Sequence, residues 1–218
     1  MSDMFFLIRN GIVLGYRGYD TAITIPAGAV RIGDNAFQNH SGIQEVTIPD
    51  GVNRIGFCAF KNCRKLTSIT IPESVKKIEK NAFDGCTALK QVTYHGVTFA
   101  PDAKISLKEI FHVIDSKDFT SAENWTSAQR YSLLWSMFSR NPEDKDVLAV
   151  IRKNFVKMFK YLIDENDVQT AEKVLKESKL VNKRNLESIT KYADEKQASE
   201  IQALLKGEDN AESTEPNN

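Results

Sequence analysis

The residues most able to do chemistry are three cysteines, three histidines and a few polar side chains that recur at one spacing. His40, Cys63 and Cys86 stand 23 residues apart. Imidazole and thiolate are the ligands zinc favours, and two cysteines in register also suggest a disulfide. Side chains that recur once per repeat point in parallel and do not converge on one ion. Neither a metal nor a Cys63–Cys86 bridge is therefore expected. Cys58 falls in the column of Asn35 and Asn81 and is expected to be exposed or half-buried. His95 and His112 have no patterned Ser, Cys or Asp partner. The chain carries no G-x-S-x-G, no H-E-x-x-H and no Gly-rich phosphate loop. No catalytic residues, no cofactor and no metal are expected. Asn39-His40-Ser41 and Asn124-Trp125-Thr126 fit the glycosylation sequon, which has meaning only for an exported chain.

Two further rows are suited to binding. Thr24, Thr47, Thr70 and Thr93 share one column, and Glu45, Ser68 and Gln91 lie two residues before the last three. Small hydroxyl and amide groups on a strand face leave room for a partner; threonine is also simply a good exposed strand residue. The second row is Arg31, Arg54 and Lys77, with Lys76 and Lys80 nearby. A basic row could meet phosphates or an acidic protein; a solvated face is the plainer reading, and nucleic acid is not the expected partner.

These columns exist because the chain repeats. Ile23-Thr-Ile-Pro26, Val46-Thr-Ile-Pro49 and Ile69-Thr-Ile-Pro72 begin 23 residues apart, and Val92-Thr-Tyr-His95 closes the series. A fixed period of this length marks a stacked-repeat architecture. Ala29, Val52 and Val75, then Ile32, Ile55 and Ile78, then Phe37, Phe60 and Phe83, then Ile43, Leu66 and Leu89 are apolar in every copy. Coils joined by strand pairing lie about 4.8 Å apart, so each column forms a ladder. The phenylalanine ladder should be the centre of one continuous core. Before the repeats, two apolar runs flank Asn10-Gly11, a pair suited to a type I′ turn. Residues 4–17 are read as a β-hairpin capping the first coil.

Leu66-x-x-Ile69-x-Ile71, matched by Ile43-x-x-Val46-x-Ile48 and Leu89-x-x-Val92-x-Tyr94, is the L-x-x-L-x-L strand of a leucine-rich repeat. The longer pattern [VI]-T-I-P-x-x-V-x-x-I-x-x-x-A-F-x-x-C-x-x-L resembles the BspA-like leucine-rich repeats of bacteria over residues 5–99. The opening F-x-I-x-N-G-x-[VL] also resembles the usual start of such proteins. The resemblance implies a right-handed β-solenoid used for binding, with its strand sheet as the docking surface. It also implies cysteine as a small buried residue at the Cys63 and Cys86 column. The family's best-known members are cell-surface adhesins; this chain has few repeats, and no signal peptide or surface anchor is read in it.

From Ser106 the apolar period changes from 2 to 3.6. Ser106 is an N-cap with Glu109 at the capping-box position. Trp125, Tyr131, Leu134, Trp135 and Phe138 mark a helix to about Arg140. An apolar stripe over residues 143–164 marks one or two more. Val168-Gln-Thr-Ala-Glu-Lys-Val-Leu175 is echoed by Ala198-Ser-Glu-Ile-Gln-Ala-Leu-Leu205, with a helix over Asn185–Asp194 between them. This alternation weakly resembles degenerate ankyrin repeats, without the T-P-L-H signature. Gly207–Asn218 reads as a disordered acidic tail.

The expected fold class is α+β: a leucine-rich repeat β-solenoid followed by an all-α helical-hairpin domain. Expected boundaries are 1–22 for the cap, 23–99 for the repeats, 100–206 for the helices and 207–218 for the tail. The 218 residues carry zero formal net charge. Residues 1–100 hold 11 Lys/Arg against 8 Asp/Glu, and residues 101–218 hold 18 against 21, too weak a split to argue for nucleic acid or membrane. No run of 18 apolar residues occurs. The first ten residues do not read as a secretory signal, and three cysteines suggest free thiols in a reducing compartment. The expectation is a non-enzymatic, cytoplasmic, bacterial protein–protein interaction scaffold. The candidate binding residues are Thr24, Glu45, Thr47, Ser68, Thr70, Gln91 and Thr93. An exported host-binding protein and an enzyme seated in the helical half are the alternatives.

Overall fold

In the computed structural model, residues 5–101, 106–122, 125–177 and 180–212 are described. Two compact units divide between Ala122 and Glu123.

The first unit opens with the hairpin expected at Asn10-Gly11. Strands β1 (Phe6–Arg9) and β2 (Ile12–Tyr16) pair antiparallel across Asn10 (φ 50°) and Gly11 (φ 73°). Each following coil contributes one strand to each of two parallel sheets. The long-strand sheet holds β3 (Ala22–Thr24), β5 (Glu45–Thr47), β7 (Ser68–Ile71) and β9 (Gln91–Tyr94). The short-strand sheet holds β4 (Arg31–Ile32), β6 (Arg54–Ile55) and β8 (Lys77–Ile78). Pairing is in register at the 23-residue offset: Val46 opposes Ile69, Ile69 opposes Val92, and Ile32 opposes Ile55. The β1–β2 hairpin extends the short-strand sheet, with Val13 beside Ile32. Strand β10 (Val97–Phe99) turns back antiparallel on β9 and ends the long-strand sheet.

The A-F segments form a third wall without strands. Here the amides of Asn35, Phe37 and Asn39 donate to Phe57, Ala59 and Lys61 of the next coil, and Cys58, Phe60 and Asn62 repeat the pattern one coil on. Such a tight wall needs left-handed residues. Asn35, Cys58 and Asn81 supply one column (φ 52–61°), and Asn39, Asn62 and Gly85 supply another. Asparagine tolerates this region because its short polar side chain bonds locally. Gly33 and Gly56 serve another purpose, the close approach of neighbouring coils. A Cβ on Gly56 would lie 2.6 Å from the Gly33 carbonyl carbon.

The core is the expected ladder. Phe37 and Phe60 stack with ring centroids 4.9 Å apart, and Phe60 and Phe83 at 5.4 Å. Phe37 and Phe60 are fully buried, whereas Phe83, on the last coil, is half-buried. Both ends are closed by an edge-on ring, Phe6 from the hairpin at 6.3 Å and Phe111 at 6.4 Å. Phe111 lies on helix α1 (Leu107–Ser116), which also carries the expected Ser106–Glu109 capping box. This helix covers the last coil through Tyr94 and Phe99. A 3-10 turn, Phe119–Ala122, completes the unit.

The second unit is helical: α2 (Ser127–Arg140), α3 (Lys145–Asp164), α4 (Val168–Glu177), α5 (Lys183–Glu195) and α6 (Ser199–Glu212). The stripe over 143–164 is one continuous helix, not two, because its apolar positions keep one phase from Val147 to Ile163. Thr126 with Gln129, and Asn182 with Asn185, form reciprocal caps, and Asp144 caps α3. The sequence echo becomes two helical hairpins, α3–α4 and α5–α6, with the same turn. Asn166 and Gln197 are left-handed (φ 51° and 55°), and the amides of Asp167 and Ala198 donate to Leu162 and Ala193. That is the Schellman pattern. Helix α6 continues to Glu212, through the first residues of the expected tail; residues 213–218 lie outside the described residues.

Candidate functional site

The long-strand sheet presents two outward rows, because side chains alternate faces along a strand. Ile23, Val46, Ile69 and Val92 point into the core. The residues on either side of them therefore point out. One row is Ala22, Glu45, Ser68 and Gln91, and the other is Thr24, Thr47, Thr70 and Thr93. Thr24, Glu45, Thr47, Thr70 and Gln91 are exposed; Ser68 and Thr93 are half-buried. The hydroxyl of Thr93 is bonded to that of Thr98 on β10 at 2.9 Å, which extends the threonine row by one strand. All seven expected residues thus share one face, as flat in-register rows of small polar groups.

The basic row also forms, with Arg31, Arg54 and Lys77 side by side on the short-strand sheet. Carboxylates that column reading did not find stand among them. Arg31 pairs with Asp34 at 2.9 Å, and Arg54 and Lys77 both pair with Glu79, at 2.5 and 2.9 Å. The Phe57 amide, then Arg31, hold Asp34 below the usual carboxylate range. Lys77 and Arg54 do the same for Glu79. The row neutralises much of its own charge.

The cysteine column has a packing role. The thiols of Cys63 and Cys86 donate to the carbonyls of Phe37 and Phe60, each at 3.1 Å. Burial pushes these thiols up, to about 11 and about 12. His40, at the head of the column, packs against the Tyr16 ring at 5.6 Å, and burial lowers its pKa. All three cysteines are free, and among the described residues no three His, Cys, Asp or Glu side chains group as a metal site. Cys58 departs from expectation: it is 3% exposed. It shares the left-handed backbone of Asn35 and Asn81, which are exposed, so the apolar side chain and not the backbone distinguishes it.

His95 has an acidic partner that no sequence pattern marks. Its Nδ1 lies 3.1 Å from Asp115 Oδ1 on α1, and Tyr94 Oη donates to Asp115 Oδ2 at 2.7 Å. Nε2 faces the Val75 carbonyl at 2.9 Å, so both ring nitrogens are turned toward acceptors of the chain itself. The partner lies 20 residues away on another element, beyond the reach of motif spacing.

In the helical unit, a cleft of about 520 Å³ is lined by Ile163, Asp164, Asn166, Lys196, Gln197, Ala198, Ser199 and Glu200. One of its two carboxylates is already engaged. Asp164 accepts from Tyr192 Oη at 2.9 Å and pairs with Lys196 at 3.0 Å. Lys160 lies 4.5 Å from the Tyr192 ring centroid. Among the described residues, no helix is long and apolar enough to cross a membrane.

No curated protein matches the chain. Among solved structures, a leucine-rich repeat protein of T. pallidum is 25% identical, with a TM-score of 0.41, over 44% of this chain and 50% of that one. One from Bacteroides ovatus is 38% identical, with a TM-score of 0.36, over 40% and 26%. A leucine-rich cell surface protein of Faecalibacterium prausnitzii is 27% identical, with a TM-score of 0.23, over 39% and 35%. The chain thus spans at most half the length of these three. The family model for the BspA type leucine rich repeat region matches residues 18–133 in six copies. That match covers more than half of the sequence, from the first coil past α1, and the chain belongs to the BspA-type leucine-rich repeat family.

Proposed function

We propose that this chain is a non-enzymatic interaction scaffold of a bacterial cell, docking a protein partner on the outward face of its long-strand sheet. The supporting observation is the paired row of small polar side chains, Thr24, Thr47, Thr70 and Thr93 beside Glu45, Ser68 and Gln91, on one regular face. A partner backbone can approach such a face closely, and hydroxyls and amides can both donate and accept. The helical hairpins offer a second docking surface. The row of Arg31, Arg54 and Lys77 is read as a self-compensated solvated face rather than a phosphate site. Three free cysteines fit a reducing interior, and the cytoplasm is the proposed compartment.

The test is affinity capture from the native lysate by tagged wild type beside Thr47→Arg/Thr70→Arg, after circular dichroism shows the variant folded. A protein retained by wild type and lost by the variant supports docking on the sheet. A protein retained equally by both moves the site elsewhere and overturns the assignment. Protease treatment of intact cells tests the compartment, with digestion of the chain placing it on the surface instead.

A further inference from the structure

We propose that His95 is a proton-operated clasp that tightens the hold of the capping helix α1 on the last coil. The ring lies between two acceptors from different elements. Asp115 Oδ1 of α1 is 3.1 Å from Nδ1, and the Val75 carbonyl of the preceding coil is 2.9 Å from Nε2. A carbonyl and a carboxylate can only accept, so both contacts are hydrogen bonds only when both ring nitrogens carry protons. A neutral ring has one N–H. If that proton stays toward Val75, a lone pair faces the Asp115 carboxylate; if it moves to Nδ1, the lone pair faces the carbonyl.

The ring has little freedom to escape this choice. His95 is left-handed (φ 49°) and, with Gly96 (φ 78°), makes the two-residue turn between β9 and β10. Its amide donates to the Ile71 carbonyl at 3.0 Å, its ring stacks on Tyr94 at 3.8 Å, and its side chain is 17% exposed. The groups facing it are Asp115 from α1, the Tyr94 phenol from β9 and the Val75 carbonyl from the preceding coil. Tyr94 is held protonated in this range, because burial and its bond to Asp115 raise its pKa. Its contact with Asp115 persists whichever form the ring takes, and so do the buried contacts of Ile110, Phe111, Val113 and Ile114. Losing the proton therefore loosens α1 without releasing it. Protonation adds a bond, so the clasp is closed while the ring carries both protons and opens when it loses one.

The experiment is amide hydrogen exchange across Leu107–Ser116 from about pH 5.5 to about 8.5, corrected for the intrinsic pH dependence of exchange, with ring ¹⁵N shifts of His95 read alongside. Wild-type protection should fall about tenfold, as expected for one hydrogen bond to a charged group, and both ring nitrogens should be protonated at the acid end. In His95→Gln and Asp115→Asn, protection should not change with pH. Wild-type protection that does not change, an unaltered slope in His95→Gln, or a neutral ring at the acid end each overturns the proposal. The wild-type ring shifts decide the matter even if a variant fails to fold.

Discussion

The coils and the helical hairpins both repeat, but they are held together by different kinds of neighbour. In the coils, residue i touches residue i+23 of the same type: phenylalanine on phenylalanine, threonine beside threonine, asparagine bonded to asparagine as Asn62 is to Asn39. In the helical unit the two hairpins share a turn geometry but not their contacts. Trp135 donates to the Met158 carbonyl, Lys173 reaches the Ser139 carbonyl, and Tyr192 donates to Asp164. A translational stack puts like on like at a fixed offset, whereas packed helices put unlike side chains together at offsets set by crossing geometry. A substitution in a coil should therefore act along its column, and one in a helical hairpin should act locally.

The largest effect should come from the centre of the ladder. Phe60 is flanked on both faces by rings and fully buried. Phe60→Ala should cost about 3–5 kcal/mol in urea melts, the range for aromatic truncation in a core. Phe83→Ala should cost clearly less, because Phe83 is half-buried and meets Phe111 edge-on. Coincident melts of Phe60→Ala and wild type would sink the idea of a column-centred core. Next in size is Gly56→Ala. The new Cβ would meet the Gly33 carbonyl carbon at 2.6 Å and the Asp34 amide nitrogen at 2.7 Å. Those are backbone atoms of the neighbouring coil and cannot rotate away. A cost of about 1–3 kcal/mol is expected, as for overpacking. A neutral result would mean that the coils can separate locally without penalty.

This difference between the two kinds of repeat also sets what could be read in advance. The period and its apolar columns placed the long strands, the ladder and the outward rows, because in a stack a position in sequence is a position in space, and Asn10-Gly11 placed the hairpin turn; the two-residue strands Arg31–Ile32, Arg54–Ile55 and Lys77–Ile78 carry no such signal. The same reasoning failed where a contact leaves its column. Asp34 and Glu79 sit outside the column of the arginines they neutralise, and Asp115 reaches His95 from a helix. Cys58 differs for another reason: it shares a column and a left-handed backbone with Asn35 and Asn81, but not their exposed environment. In the helical unit the period showed where helices run, and the serine, threonine and asparagine caps showed where they start. Which helix faces which was not legible, since an apolar stripe names no partner. The candidate docking face was legible as geometry, while its ligand is written nowhere in the chain.

Gln197→Gly tests the helical side of the comparison. Gln197 is exposed and left-handed at the end of α5, a position where glycine carries no Cβ penalty. The substitution should stabilise the unit by about 0.5–1 kcal/mol in thermal or urea unfolding. Asn166→Gly, at the equivalent turn, should gain less, because asparagine already tolerates this conformation. Destabilisation at both turns would show that their side chains do more than occupy the turn.

The smallest effect should be the acid response of the short-strand sheet. Asp34 is held low first by the Phe57 amide and then by Arg31, and Glu79 by Lys77 and Arg54. A carboxylate whose folded-state pKa is depressed adds stability above its unfolded value, and that stability is lost as pH falls through the folded value. The window therefore lies below the ordinary carboxylate range of about 4. Because Asp34 is exposed and Glu79 is half-buried at the surface, the contribution should be modest and should shrink in salt. Asp34→Asn and Glu79→Gln should each lower stability slightly at neutral pH and flatten the acid limb, so that variant and wild-type curves converge at low pH. The helical pair Asp164–Lys196 has no column to share, so Asp164→Asn should act on its own unit alone. If removing Asp34 also altered the response of Glu79, the coupling would be running along the coil stack, through the arginine and lysine row that both carboxylates face.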